Sequence, residues 1–144
     1  MITKIIKKNP LEQETPETTY SMMVVEIREL DHKKLAALSP TDVLIEIGKT
    51  IESNMSKQDV IFSRYYSNHD LHMHNRMLMQ ITDSFVVVSP QQSKKQLAKT
   101  NKKITIQLEQ AGIKVKSGFA EYGVDGTDSR EVLAVATQQV TQPS

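Results

Sequence analysis

A carboxylate at a turn, followed by an apolar run, is the feature of this chain best suited to chemistry: Thr82-Asp83-Ser84-Phe85-Val86-Val87-Val88-Ser89-Pro90. Asp83 stands at the turn and residues 85–88 read as a strand. Ser89-Pro90 then has the pattern of a helix start, serine as N-cap and proline in the first helical position. A turn of this kind offers a seat for a nucleotide. Two other segments stand at a suitable distance from it. One is Met22-Met23-Val24-Val25-Glu26-Ile27, an apolar strand ending in the carboxylate of Glu26, and the other is Ile113-Lys114-Val115-Lys116-Ser117-Gly118-Phe119-Ala120-Glu121-Tyr122. A different chemistry is offered by His69-Asp70-Leu71-His72-Met73-His74-Asn75-Arg76, since neutral imidazoles this close together bind transition metals. His72 and His74 fall on one side of a strand, His69 does not, and no fourth ligand is evident. An exposed polar loop is the competing reading of these histidines.

The elements that must position these residues follow from apolar periodicity. Residues 1–18 hold Lys4, Lys7 and Lys8, then Pro10, Glu12, Glu14, Pro16 and Glu17, and read as a tail or linker. Residues 20–27 form an apolar run of the length of a strand buried on both faces, the expected centre of a sheet. A short helix is expected over residues 29–38. Ser39-Pro40-Thr41-Asp42 starts a second, whose face Val43, Leu44, Ile47 and Ile51 recurs at spacings of three and four, ending near Met55. Residues 59–66 have strand composition, and residues 77–88 hold one or two more strands, broken near Asp83, that pair as an antiparallel hairpin. A helix from Ser89-Pro90 carries Leu97, Ile104, Leu108 and Ala111 before Gly112 ends it. Residues 113–122 form a strand, residues 123–126 a turn, and Asp128 or Ser129 begins a last helix through Val132, Leu133, Val135 and Ala136. A polar tail that frays is expected from Gln138. This order predicts an α+β fold, a ferredoxin-like or nucleotidyl cyclase-like sandwich with a central, mostly antiparallel sheet flanked by helices and carrying an inserted hairpin. One domain, residues 19–140, lies between the tail at 1–18 and a tail at 141–144.

Composition bounds the partners. Lys and Arg total 18 against 17 Asp and Glu, a formal net charge of +1, so no field of one sign marks the surface for nucleic acid or anionic lipid. With no cysteine there are no disulfides, zinc-thiolate sites or thiol nucleophiles, which suits a cytoplasmic location. No run approaches the roughly 18 to 20 apolar residues that span a bilayer, so membrane insertion is not expected. Lys94, Lys95, Lys99, Lys102 and Lys103 form a basic helix face, either solvated or open to phosphate or an acidic partner. The methionines near residues 22 and 73–79 read as adaptable core filler.

Residues 83–90 resemble the Asp-Glu-Phe, apolar strand and proline that close the signature of GGDEF domains, the diguanylate cyclase family. Ser117-Gly118-Phe119-Ala120-Glu121-Tyr122 with Asp125-Gly126 is similar to the family's late strand and the turn before its last helix. Asp42-Val43-Leu44, Asp59-Val60 and Arg64-Tyr65 match weaker landmarks. The resemblance runs from Tyr20 to Val140 and implies that the metal-binding carboxylates of the family fall on Glu26 and Asp83, which as a pair suit Mg²⁺ bridging nucleotide phosphates. It also implies that the activity is lost. The signature glycines align with Ile81 and Thr82, whose branched side chains fill the nucleotide's seat. The degenerate signature is thus Ile81, Thr82, Asp83, Ser84 and Phe85. The second carboxylate of the first strand aligns with Arg28, and the product-inhibition motif reads Ser56-Lys57-Gln58-Asp59 without its arginine.

The expectation is therefore a catalytically inactive regulatory or scaffolding module of bacterial signalling, without a cofactor, that acts through protein partners or as a homodimer. Residues 66–79 exceed the family's spacing, and Tyr65, Tyr66, Asn68, His72, His74 and Arg76 are the expected partner surface, where an exposed strand edge takes up a partner strand. The alternative is a nucleotide or cyclic di-GMP receptor, or a residual nucleotidase, using Glu26 and Asp83 with Mg²⁺. Glu26 and Asp83 also admit a plain reading as solvated acids, or as partners of a salt bridge such as one to Arg28.

Overall fold

A computed structural model describes residues 19–63, 66–68, 84–90 and 92–141. Among these residues seven elements follow one another: β1 (Tyr20–Leu30), α1 (Pro40–Ser53), β2 (Val60–Phe62), β3 (Phe85–Pro90), α2 (Lys94–Gln110), β4 (Ile113–Glu121) and α3 (Ser129–Thr141). The strands form one sheet in the order β2-β3-β1-β4, and every neighbouring pair is antiparallel. This is the α+β sandwich expected from the element order.

Alternation along the strands divides the apolar residues between two layers. Met23, Val25, Ile61, Phe85 and Val87 point to one face, where Val43, Ile47 and Ile51 of α1 and Leu97, Ile104 and Leu108 of α2 close over them. Met22, Val24, Phe62, Val86 and Ala120 point to the other, beneath Val132, Ala136 and Val140 of α3. With helices on both sides, residues 21–25 of β1 are buried throughout, which is why that run shows no polar alternation. Each Leu or Ile so enclosed contributes about 1.5–3 kcal/mol relative to exposure.

Local chemistry sets the element ends. Ser39 caps α1 through a reciprocal capping box with Asp42, and Pro40 opens the helix. Gly112, at φ 91°, follows the end of α2, a conformation glycine adopts without a Cβ penalty. The Asp128 carboxylate accepts the Glu131 amide at 2.9 Å and begins α3.

Four expectations are corrected. Residues 29–38 do not form a helix: β1 continues to Leu30 because Glu29 and Leu30 pair with Lys114 and Ile113, and a series of turns follows in which Asp31 Oδ1 accepts the amides of Lys33 and Lys34. Ser89-Pro90 does not start a helix. Those residues extend β3, paired with Ser21 and Tyr20, and the cap is Ser93, whose box partner is Gln96. Of the strand expected over residues 59–66, Val60–Phe62 are strand while Asp59, Ser63 and Tyr66 are not, and the Ser63 amide donates to the Tyr66 carbonyl at 2.7 Å. The chain does not fray from Gln138: α3 runs to Thr141, where the expected tail would begin, because Val140 is buried against the sheet. The expected inserted hairpin and the tail at 1–18 lie outside the described residues.

Candidate functional site

β1 overshoots β3. Val25 pairs with Phe85, the first residue of β3, and among the described residues the stretch from Glu26 to Leu30 pairs with β4. Glu26 therefore lies within β1, immediately past the start of β3, and not at the strand's end. Its carboxylate is shared. Oε1 lies 3.4 Å from Arg28 Nη1, and Oε2 accepts from Ser84 Oγ at 3.4 Å. Glu26 continues the alternation of Met22 and Val24 toward the face covered by α3, and Arg28, the extra residue where the ladder with β4 shifts register between Ile27 and Glu29, turns to the same side. The other end of the guanidinium donates to the carbonyl of Val140 in the last turn of α3, where the helix's unpaired carbonyls favour a cation. Across the ladder, Glu26 faces Lys116. The carboxylate that the resemblance assigns to a metal is thus tied to the arginine that stands where the family has a second acid.

Asp59, the acid of the Ser56-Lys57-Gln58-Asp59 motif, is 1% exposed. Its Oδ1 accepts from Ser89 Oγ at 2.6 Å and its Oδ2 from the Ser56 amide at 2.9 Å, so the carboxylate joins the turn before β2 to the far end of β3. The Asp125-Gly126 turn is likewise internal. Asp125 receives Lys94 Nζ at 2.9 Å and the Glu121 amide at 2.8 Å, and Lys94's own amide donates to Glu121 Oε1. Burial alone would push the Asp125 carboxyl up, but the Lys94 ammonium and the Glu121 N–H outweigh it and hold the group below its ordinary value. These acids position backbone.

Of the expected partner surface, Tyr66 and Asn68 are described, and both turn toward the body of the domain. The Tyr66 ring lies over Gly48 and 6.5 Å from the Phe85 ring, with its hydroxyl bonded to Glu52. Asn68 accepts the Ile61 amide at 2.8 Å, donates to the Asp59 carbonyl at 2.9 Å and sends its own amide to the Ile61 carbonyl at 3.1 Å. It thereby occupies the outer edge of β2. On the opposite edge of the sheet, Gln139 does the same for Phe119 of β4. Sequence reasoning put Asn68 on a partner surface and did not single out Gln139, because an Asn or Gln in a polar context carries no local signal of the strand it will meet.

Ile81, Thr82, Asp83, His69, His72, His74, Tyr65 and Arg76 lie outside the described residues. Among the described residues, no three His, Asp or Glu side chains come together as metal ligands. An open cleft of about 290 Å³ beside the end of β1 is lined by Glu29, Asp31, Lys34, Glu109 and Lys114, with both signs of charge interleaved. No helix among the described residues is long and apolar enough to cross a membrane.

A four-stranded antiparallel sheet of this order, with helices on both faces, is the GGDEF or diguanylate cyclase-like fold. Solved structures share it throughout most of this chain. The diguanylate cyclase SiaD from Pseudomonas aeruginosa, solved with its activator SiaC, superposes at TM-score 0.59 and 12% identity, covering 90% of this chain and 48% of its own, so this chain spans about half of that one. A diguanylate cyclase protein from Thermotoga maritima matches at TM-score 0.60 and 15% identity, with 91% and 85% covered. The coiled coil and GGDEF domain of DgcB from Caulobacter crescentus, in complex with c-di-GMP, matches at TM-score 0.58 and 17% identity, with 89% and 65% covered. No protein-family model matches the chain, and neither does any curated protein.

Proposed function

We propose that this chain is a GGDEF-like module of bacterial cyclic di-GMP signalling that has lost cyclase activity and acts as a regulatory scaffold through protein contacts. The observation that carries this reading is the state of Glu26. A Mg²⁺ site built on this carboxylate needs its oxygens free and its surroundings negative. Here a guanidinium lies 3.4 Å away, itself fastened to Val140, and a serine hydroxyl takes the second oxygen. Recruiting a metal would require Arg28 to be displaced from both of its partners. The branched residues Ile81 and Thr82 at the positions of the signature glycines support the same conclusion. Partner recognition is assigned to residues 69–79, with Tyr66 and Asn68 as the anchors that fix the start of that segment to α1 and β2.

That a protein of the same fold, SiaD, is solved with an activator supports a protein partner, and that DgcB is solved with c-di-GMP motivates the second reading, a receptor using Glu26 and Asp83. One experiment separates them. The purified chain is incubated with GTP and Mg²⁺ and assayed for cyclic di-GMP, and titrated calorimetrically with GTP, ATP and cyclic di-GMP. No product and no binding heat are expected. Micromolar binding abolished by Asp83→Ala would favour the receptor, and dinucleotide synthesis would refute the loss of activity.

A further inference from the structure

The near-neutral total of the chain conceals a separation of charge. From Lys94 to Leu108 α2 carries five lysines and no acid, whereas the other described residues hold eight Lys and Arg against twelve Asp and Glu. Lys94 is tied to Asp125, but Lys95, Lys99, Lys102 and Lys103 are exposed and have no ion-pair partner among the described residues. With Ile106, 57% exposed, they fall within an arc of about 100° and along about 17 Å of helix, at 3.6 residues per turn and 1.5 Å per residue. Leu97, Ile104 and Leu108 form the buried side of α2. The lysines therefore crown a convex face turned to solvent.

The composition of this stripe selects its partner. Protein interfaces are depleted of lysine and enriched in Arg, Met and the aromatic residues, none of which stands in the stripe. Lysine's compact ammonium lacks the planar fork that reads a carboxylate or a base edge. On a flexible stem it instead meets a diffuse field of negative charge equally well at many points. A convex ridge can touch with all five side chains at once only against a partner that is broad and flat. An anionic bilayer meets both conditions. Four to eight basic residues on one helix are the pattern that attaches to such headgroups, each lysine strengthening attachment about fivefold. An apolar side chain among them enters the boundary between headgroups and acyl chains.

We infer that α2 docks this domain on an anionic phospholipid surface, with Lys95, Lys99, Lys102 and Lys103 among the headgroups and Ile106 between their stems. This contact is independent of whether the module retains nucleotide chemistry, and it goes beyond the scaffold reading. The acidic remainder of the domain is repelled by the same surface, so orientation is set together with attachment. α2 and α3 cover opposite faces of the sheet, which turns α3, Glu26 and Arg28 away from the bilayer. Resting on four lysines and one isoleucine, the attachment is reversible and governed by ionic strength.

The test is sedimentation of the full chain with vesicles. Vesicles of phosphatidylserine and phosphatidylcholine in equal parts carry the protein down in low salt, and those of phosphatidylcholine alone do not. Salt at about 1 M, where the screening length is about 3 Å, releases it. Lys95→Glu, Lys99→Glu, Lys102→Glu and Lys103→Glu together lower the partition by about a hundredfold or more. A variant with the same net charge, reversed instead at the exposed Lys33, Lys34, Lys57 and Arg130, retains it. Lys99→Gln and Lys102→Gln, each expected to lose about fivefold, repeat the test without an added acid should the fourfold reversal unfold. Because the sequence has no tryptophan, Ile106→Trp reports the contact by a blue shift of its emission on anionic vesicles, and Gln138→Trp on α3 stays unshifted. Equal sedimentation with neutral vesicles, none with anionic ones in low salt, equal losses in the two charge-reversed variants, or a shift of the Gln138→Trp reporter would overturn the proposal. So would poly-glutamate that shifts the Ile106→Trp reporter at a lower concentration of charge than the vesicles do, which would assign the stripe to an acidic protein.

Discussion

The side-chain amide of Gln139 clasps the backbone of Phe119, accepting its N–H and donating to its carbonyl at 2.8 Å each. Those two groups face away from β1, on the outer edge of β4, where a further strand would otherwise attach. α3 comes close enough to make the clasp because Gly118 has no side chain: a Cβ there would overlap the Ala136 carbonyl oxygen. Removing the clasp with Gln139→Ala costs about 0.5–1.5 kcal/mol. The diagnostic readout is hydrogen exchange, which is expected to quicken at the Phe119 amide while the amides that β4 donates to β1 keep their protection.

A larger loss is expected at the buried acid. Ser89→Ala leaves Asp59 Oδ1 without its donor at a site 1% exposed, and leaving such a group unsatisfied costs about 1–3 kcal/mol. Chemical denaturation of Ser89→Ala, Asp59→Ala and the double variant measures the coupling between them. Additive losses would mean that the 2.6 Å bond is not what holds the turn before β2 to β3.

Gly48 on α1 is the floor on which Tyr66 rests. A Cβ at position 48 would meet the Tyr66 ring closer than real Cβ atoms approach their neighbours. Gly48→Ala is accordingly expected to destabilise the fold by about 1–3 kcal/mol despite alanine's better helix propensity. Tyr66→Ala in the same chain should return part of that loss, and thermal unfolding of the three variants is sufficient to see it.

Tyr66 also gives the protein an alkaline limit. Burial and then the Glu52 carboxylate beside the hydroxyl push the phenol up to about 12 from 10.0. A group raised in the folded state stabilises fully below its unfolded value and loses that contribution as pH climbs through the folded one. Stability conferred by Tyr66 is thus intact below pH 10 and fades between 10 and about 12. Tyr66→Phe should be less stable than the parent at neutral pH and converge on it across that window.

Asp125 sets the opposite limit. Its folded value lies below 3.8, so its contribution is present above that value and disappears as pH falls through the lower, folded one. In an acid titration followed by circular dichroism, Asp125→Asn is expected to lose less stability than the parent on going from neutral pH to below the ordinary carboxylate range. Equal losses would mean that Lys94 contributes nothing to that turn.

The fold was legible where apolar residues repeat. Val43, Ile47 and Ile51, Leu97, Ile104 and Leu108, and the unbroken run at 21–25 define the layers without reference to anything distant. What stayed hidden was decided by pairing across the sheet. Ser89-Pro90 has the chemistry of a helix start, but the strand opposite was already supplied by Tyr20 and Ser21, and Ser93 with Gln96 offered an equally good cap four residues after Ser89. Residues 29 and 30 would serve in a helix, yet Lys114 and Ile113 extend them. At the candidate site, the ion pair of Glu26 with Arg28 could be read from their spacing on one strand. Anchorage of Arg28 to Val140 could not, since more than a hundred positions separate them.

Asn68 and Gln139 cover their strands with neutral amides, which neither titrate between pH 2 and 12 nor respond to ionic strength. Neither of these two clasps therefore depends on a charge that pH or salt could remove. The exposed lysines of α2 are the reverse, charges whose reach shortens with every added ion.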